Sequence, residues 1–600
     1  MAWVKENRFI LFILLVATVL RFWLFWEIPY SHDELSALLR TQINSWPEFI
    51  ETGIMMDNHP GGVQLLIWLQ TMIGGYIPIW IKLPFLICGV WCVWMIYLVG
   101  RRMFSEPVAL TAAALMATLQ FPITFSQWAR PYVIGLLVVL ALTWVLLRFL
   151  QAEKRQWFWV AGFAALCALS GYVHYFTLLQ AIVISIAFLP YIDRGQLLKI
   201  IIGGLAAFAL WLPHLGLTLF HLDRGGIGNW LQAPQADYWL EIVAYIFQFS
   251  WWVPGLLILA SIGSVLAVKH WWRVYSRYFL LICAIVPYLV GYFYSANLNP
   301  LLHQSVLIFS MPFFLLFCAS FITDKRPILD GVVILIMAIN INVLVVERNH
   351  YEVNYLSEYH SPMKWLGEMN SSRESITPAL VELRGDFTQM MFDQPIVLWQ
   401  DVQYAQPLLD SNYLDDYLAS LESTHLFFAV NTGSDPELFA RVLDYFPCID
   451  SVQYYHAGES YLLSKDCDSR KFLVSKSEDR VLSTMDSYSY SVQVEVDDPN
   501  HKLNLHSMVT YSGQASEANL VMDVSSESAP SWRGVRMESN NPSEGDLKAF
   551  NVFYFSEWGL SVGDEVKSFV WLNSNDSITV HELSIYSVPS NTNKFRLFKP

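Results

Sequence analysis

Long apolar windows recur along this chain as far as Val346 and none follows, so its first 346 residues and its remainder must satisfy different solvents. In hydrocarbon every backbone polar group needs an internal partner, and windows of about 20 residues meet that demand only as helices. Hydrophobic residues make up 54% of the chain and charged residues 15%. The 24 Trp, 29 Tyr and 38 Phe exceed what a soluble core needs and fit aromatic belts at bilayer interfaces. Eleven spans are expected, at 9–26, 80–99, 106–123, 131–150, 157–171, 173–189, 198–219, 240–267, 278–295, 301–322 and 328–346. The first exceeds a signal-peptide core and carries no small-residue cleavage site, so it is expected to stay attached.

Basic residues set the orientation, because Lys and Arg collect in cytoplasmic loops. Lys5 and Arg8, then Arg101 and Arg102, then Arg148, Lys154 and Arg155, then Arg194 and Lys199 mark one side. Lys269, Arg273, Arg277, Lys325 and Arg326 agree with it. The N-terminus is therefore expected in the cytoplasm, and an odd count puts the C-terminal part outside, on a multi-pass protein of the cytoplasmic (inner) membrane. Gly62 to Pro78 is apolar enough to cross, but crossing would put Arg101 and Arg102 on the wrong side, so it reads as a juxtamembrane or re-entrant helix. The net charge of −15 argues against nucleic acid, which calls for a basic patch, and fits a solvated acidic surface.

This topology puts Ser31-His32-Asp33-Glu34 on the outer, periplasmic face, at the start of a loop reaching His59. Leu35, Leu38, Leu39, Ile43 and Trp46 recur at helical spacing opposite Arg40, Gln42 and Asn44, as in an amphipathic helix lying on the membrane. Asp33 and Glu34 read either as solvated loop residues, with Ser31 or Asp33 as a helix cap, or as functional carboxylates.

Four motifs in order resemble the membrane glycosyltransferases of the C-type fold, in particular the branch of protein mannosyltransferases and aminoarabinose transferases. Arg21 in the first span precedes the Asp33-Glu34 pair. Asp57-Asn58-His59-Pro60-Gly61-Gly62 is similar to an Asp-x-His-Pro-Pro entry to a short helix, with Gly61 in place of the second Pro. Ile81-Lys82-Leu83-Pro84 through Gly100-Arg101-Arg102-Met103-Phe104 resembles an Arg-Leu-Pro opening and a Gly-Arg-Arg-Leu-Phe close. Gln127-Trp128-Ala129-Arg130-Pro131-Tyr132 resembles an outer-face Ala-Arg-x-Tyr segment. The likeness covers roughly the first 190 residues. Leu301-Leu302-His303-Gln304 stands where many relatives carry an Arg-Tyr pair.

The resemblance implies an inverting transferase that moves a sugar from a polyprenyl-phosphate donor to a hydroxyl on a lipid, glycan or protein acceptor at the outer face, among membrane lipids. A carboxylate there would accept the hydroxyl proton, a contribution of about 10² to 10⁴-fold. Asp33 is the expected general base and Glu34 its second candidate. Cations would stabilise the leaving phosphate. Arg130, in its motif with Tyr132, ranks first, followed by His174 at a short outer turn, Arg224 and His303. For His174 and His303 an ordinary interfacial histidine is the competing reading. Arg224, beside Gly225-Gly226, is otherwise plain surface charge.

Arg21 is an intramembrane ionisable group, a functional candidate by default, or else a snorkelling or ion-paired residue. Asp57 and His59 either bind acceptor or shape the loop. No cofactor is assigned. A divalent metal stays open, because Asp33, Glu34, Asp57 and His59 could converge although their spacing is not that of a metal motif. The alternatives are a lipid-linked sugar transporter or flippase, which would place charges near span midplanes, and a non-catalytic membrane glycan-binding protein.

Beyond the membrane domain at 1–346, a linker is expected at 347–375, a small α/β unit at 376–470 and a β-sandwich at 471–600. His425 to Val430 reads as a strand, Asp435 to Tyr445 as a helix with Pro436 in its first turn, and Ser451 to Ser464 as a hairpin. Cys448 and Cys467 lie symmetrically about the turn at Ala457-Gly458, which predicts a disulfide in an oxidising compartment, two isolated thiols being the alternative. Alternating runs at 491–496, 518–524, 550–555, 566–572 and 579–587 indicate the sandwich. Trp532, Trp558 and Trp571 could stack on sugars, but core packing is the commoner use of such residues and is the expectation here.

Overall fold

The computed structural model describes residues 7–43, 45–224, 231, 233–265, 271–322, 326–371, 377–382, 387, 402–405, 413–431, 434, 436–465, 472–484, 487–495, 503–513, 518–525, 531–537, 547–553, 563–573, 577–589, 591 and 597–598. The chain divides into two compact units, Met1–Tyr355 with Leu597–Pro600, and Leu356–Arg596.

The first unit is helical. Six helices among the described residues are long and apolar enough to cross a membrane: Pro78–Met103, Pro131–Leu150, Gln156–Val173, Arg194–Arg224, Ser276–Asn297 and Asp330–Glu347. A seventh is counted if the pair Glu106–Thr118 and Gln120–Gln127, bent by 56°, is one broken span. The expected eleven thus includes windows that form shorter helices. Helix α1 (Arg8–Phe22) has 15 residues and stops where Trp23 turns extended and Leu24 takes a φ of 45°. At 1.5 Å per residue it is about 22 Å long, short of a hydrocarbon core of about 30 Å.

After α1 come α2 (His32–Leu39), α3 (Gly61–Gly74), α4 (Pro78–Met103), α5 (Glu106–Thr118), α6 (Gln120–Gln127), α7 (Pro131–Leu150), α8 (Gln156–Val173) and α9 (Tyr175–Phe188). Helix α2 buries Leu35 and Leu38 as its amphipathic pattern requires. It ends earlier than the pattern, leaving Trp46 half exposed, and Asn44 lies outside the described residues. Helix α3, at 14 residues, is too short to span on its own.

The break between α5 and α6 frees carbonyls inside an apolar environment, and Arg21 takes them. Its guanidinium donates to Met116 O at 2.9 Å and Ala117 O at 3.0 Å, and it is fully buried. Gly89 on α4 leaves room for this arrangement, since a Cβ there would meet Ser126 Cβ at 2.4 Å and Arg21 Nε at 2.9 Å.

Among the described residues the second unit holds three sheets. The first has order β2-β1-β3-β5-β4, formed by β1 (Ala379–Glu382), β2 (Val402–Tyr404), β3 (His425–Asn431), β4 (Cys448–Tyr454) and β5 (Gly458–Ser464). It is parallel across β2-β1-β3 and antiparallel across β3-β5-β4. Two antiparallel four-stranded sheets follow, β10-β9-β12-β7 and β11-β8-β13-β6. Their strands are β6 (Phe472–Leu482), β7 (Ser491–Glu495), β8 (Leu503–Gly513), β9 (Ala518–Ser525), β10 (Ser531–Met537), β11 (Leu547–Phe553), β12 (Glu565–Leu572) and β13 (Ile578–Pro589). Leu520, Met522, Val566 and Val570 of one meet Val509, Val580, Leu583 and Ile585 of the other in a shared core, as in a sandwich. A further core joins Phe428, Phe439, Leu443 and Tyr461 to Met508, Tyr586 and Val588, so the helix Pro436–Tyr445 sits between the first sheet and the sandwich.

Cys448 is disulfide-bonded; Cys467, its expected partner, lies outside the described residues, as does Trp558. Trp532 is not core: it is 58% exposed and meets Trp571 edge to face at 6.0 Å. Its strand lies at the margin of its sheet, with one neighbour to pack against instead of two.

Candidate active site

Helix α2 begins with a reciprocal capping box. Ser31 Oγ accepts from the Glu34 N–H at 3.4 Å, and Glu34 Oε2 accepts from the Ser31 N–H at 2.8 Å. Consecutive helical residues project about 100° apart, so the two carboxylates of the pair part company. Glu34 turns inward, 1% exposed. Lys82 Nζ of α4 donates to its oxygens at 2.7 and 2.8 Å, and the Ala129 N–H donates to Oε1 at 2.7 Å. The same Nζ reaches Gln127 O at 3.0 Å. A buried ion pair with its remaining lone pairs satisfied ties α2 to α4 and to the turn carrying Arg130.

Asp33 turns the other way and is exposed. Its charge is felt at Arg130, Tyr132, Arg40 and His303. Among the described residues no hydrogen bond or ion pair engages its carboxylate.

Asp57 lies just before α3, buried. Its carboxylate accepts from Arg40 Nη2 at 3.0 Å, lies 3.1 Å from His59 Nδ1 and 3.7 Å from Arg130 Nη1. Burial opposes its ionisation, but Arg130, His59 and Arg40 together outweigh burial and hold the carboxyl well below its ordinary range. Arg130 responds in kind. Burial works against its charge, and the Asp57 and Asp33 carboxylates more than restore it, so the guanidinium stays firmly protonated. Arg130 Nη2 also lies 3.0 Å from His59 Nδ1. That nitrogen can donate to Asp57 or accept from Arg130, but not both at once.

Arg130 is placed by its neighbours in sequence. It is extended, at φ −131° and ψ 165°, and Pro131 opens α7 directly after it, the position where a missing N–H costs nothing. His174 occupies the analogous break between α8 and α9. Its Nδ1 accepts from the Phe176 N–H at 3.0 Å, and its ring lies 5.1 Å from His59 and 5.8 Å from Tyr132. Gly62 permits this approach, since a Cβ there would sit 2.6 Å from Tyr172 O. The Ser305 hydroxyl lies 3.0 Å from His303 Nδ1.

The structure therefore gathers Asp57, His59, Arg130, Tyr132 and His174 into one cluster, with Asp33 and His303 beside it. Arg224 lies at its margin, exposed, donating to Met56 O at 3.2 Å. Arg21 is elsewhere, bound to the carbonyls ending α5. Arg40 and Lys82, which the sequence offers only as a polar-face residue and a motif residue, and His221 are not among the expected site residues. Lys82 carried a signal, a lone ammonium within an apolar window that requires a carboxylate partner. His221 accepts the Tyr175 hydroxyl at 2.7 Å and faces Met55 O at 3.2 Å, a pairing no local pattern announces.

The residues offered for a divalent ion do not fit one. Asp57 already faces two guanidinium groups and Glu34 an ammonium, and among the described residues no group of three or more His, Cys, Asp or Glu could hold a metal.

A helical unit with several helices apolar enough to cross a membrane, and with a loop carboxylate beside arginines and histidines, resembles the membrane glycosyltransferases of the C-type fold. Residues 58–216 match the family model described as dolichyl-phosphate-mannose-protein mannosyltransferase, a segment containing His59, Arg130 and His174. Among solved structures, the chain is similar to ArnT from Cupriavidus metallidurans in the apo state, at 9% identity and a TM-score of 0.47, covering 77% of this chain and 98% of that one. The same protein bound to undecaprenyl phosphate gives 10% identity, a TM-score of 0.45 and the same coverage. The S. cerevisiae protein O-mannosyltransferase Pmt1-Pmt2 complex bound to the sugar donor gives 14% identity and a TM-score of 0.30, covering 37% of this chain and 34% of that one. No curated protein sequence matches.

Proposed function

We propose that the chain is an inverting glycosyltransferase that moves a sugar from a polyprenyl-phosphate donor to a hydroxyl group of a lipid, glycan or protein acceptor, with Asp33 as general base. The supporting observation is the division of labour among three carboxylates: Glu34 is neutralised by Lys82, Asp57 by Arg40 and Arg130, and Asp33 is exposed and, among the described residues, left unengaged. A base needs an available lone pair.

In this reading the acceptor oxygen attacks the anomeric carbon as its proton passes to Asp33. The bond from that carbon to the phosphate oxygen breaks, and the electron pair leaves with the phosphate. Arg130, held charged by Asp57 and Asp33, stabilises the developing negative charge, with His303 and Arg224 as further phosphate contacts. His59, His174 and Tyr132 line the sugar position. A single displacement inverts the anomeric centre. The site faces outward from the cytoplasmic membrane, with the N-terminus on the cytoplasmic side.

The test is Asp33→Asn in membranes supplied with the lipid-linked sugar. Transfer falls by about 10² to 10⁴-fold while donor binding and thermal unfolding stay near those of the parent. Transfer at the parental rate removes Asp33 from the chemistry.

A further inference from the structure

The far ends of the two helices that frame the Asp57 cluster meet at a second polar feature. Helix α4 meets Glu34 at Lys82 and carries Arg102 about 30 Å further along its axis. Helix α7 begins after Arg130 and carries Arg148 about 27 Å away. There, at the start of α8, lies a cavity of about 340 Å³ lined by Arg102, Arg148, Lys154, Arg155, Phe158 and Trp159. It is thus one hydrocarbon thickness from the candidate active site, at headgroup depth on the opposite face.

Four cationic side chains line this cavity and no acidic one does. Like charges gathered in one concavity repel unless an anion enters. Arg102 Nε is buried without a hydrogen-bond partner among the described residues, and the rest of its side chain is only partly buried. Arg155 holds φ 60° and ψ 28°, a left-handed backbone, at the residue that opens α8. A non-glycine residue pays for that conformation and keeps it only where the surroundings fix it. Arg148 is pinned with its guanidinium 5.7 and 5.3 Å from the rings of Trp144 and Trp159, and Trp157 and Phe158 are exposed beside it, as interfacial aromatics are.

We propose that this cavity binds the headgroup of an anionic phospholipid, its phosphodiester against Arg102 and Arg148 and its acyl chains in the leaflet beside Trp157 and Phe158. A topology-setting role alone needs basic residues anywhere in the loop. It does not require them to converge on one cavity or leave a buried guanidinium N–H unsatisfied.

The test uses the full chain in detergent micelles, with native mass spectrometry and thermal unfolding read against phosphatidylglycerol, phosphatidylcholine of the same acyl chains, inorganic phosphate and undecaprenyl phosphate. Phosphatidylglycerol is retained and raises Tm; phosphatidylcholine does neither. Each interfacial Lys or Arg contributes about fivefold to attraction for anionic lipid, so Arg102→Gln with Arg148→Gln weakens phosphatidylglycerol binding about 25-fold. Should that pair fail to insert, Arg102→Lys with Arg148→Lys keeps the charge count but loses the guanidinium fork and still weakens binding. Equal retention of the two phospholipids, undiminished binding by both variant pairs, inorganic phosphate that binds as tightly as phosphatidylglycerol, or undecaprenyl phosphate that displaces it would each overturn the assignment.

Discussion

Adjacent acidic residues invite a single role, and here they have two. Glu34 is a strut: its oxygens meet Lys82, the Ser31 N–H and the Ala129 N–H, and its burial makes the partnership with Lys82 obligatory. Glu34→Gln leaves an ammonium buried without its counter-charge, a loss of about 3–5 kcal/mol, read as a fall in Tm with poor recovery from membranes. Adding Lys82→Met to Glu34→Gln removes the orphaned charge and restores most of that stability. If the double variant is no more stable than the single one, the pair is not the cause. The three carboxylates Asp33, Glu34 and Asp57 were all visible in the sequence, but which of them is unengaged was not. That depends on Lys82 and Arg40, residues 48 and 17 positions from their partners.

At the scale of elements, backbone breaks make the site. Asp57 precedes α3, Arg130 separates α6 from α7 and His174 separates α8 from α9, so each presents its side chain where a helix begins. Glycine controls how closely these ends approach. Gly62→Ala places a methyl carbon 2.6 Å from Tyr172 O, backbone that cannot swing aside, and should cost about 1–3 kcal/mol. Because His174 follows Tyr172 by two residues, sugar transfer should fall by more than the stability loss explains. Parental transfer in a folded Gly62→Ala protein would show that the approach does not matter.

The apolar windows identified the membrane helices by hydropathy, yet hydropathy does not count residues in helical geometry. That is why the windows at 9–26 and 106–123 became a short helix and a bent pair. In the sandwich, β9, β12 and β13 alternate and were legible. Strand β6 carries Lys476, Glu478, Asp479 and Arg480 within 11 residues, and β10 interrupts its pattern with Gly534, so neither announces itself.

For the molecule as a whole, the division at Tyr355 and Leu356 has a practical consequence. Two cores, one within the sandwich and one joining it to the helix Pro436–Tyr445, lie wholly inside residues 356–596. Expressed without the membrane unit in an oxidising compartment, residues 356–596 should be soluble and unfold in one cooperative transition. Reductant should lower that transition through the disulfide at Cys448, by about 2–4 kcal/mol. Aggregation, or the absence of a transition, would show that the unit needs its membrane partner to fold. The two sequence-defined soluble segments share the second core, a contact that pattern reading along the chain had no means of seeing.

Arg21 carries a further meaning when the chain is followed in time. The carbonyls that satisfy its guanidinium belong to residues 95 and 96 positions later. At about 5–20 residues per second, a ribosome needs roughly 5–20 s to deliver them. During that interval this 15-residue helix is both short and burdened with an unmatched charge. It gains its permanent place only when the broken helix arrives to receive it.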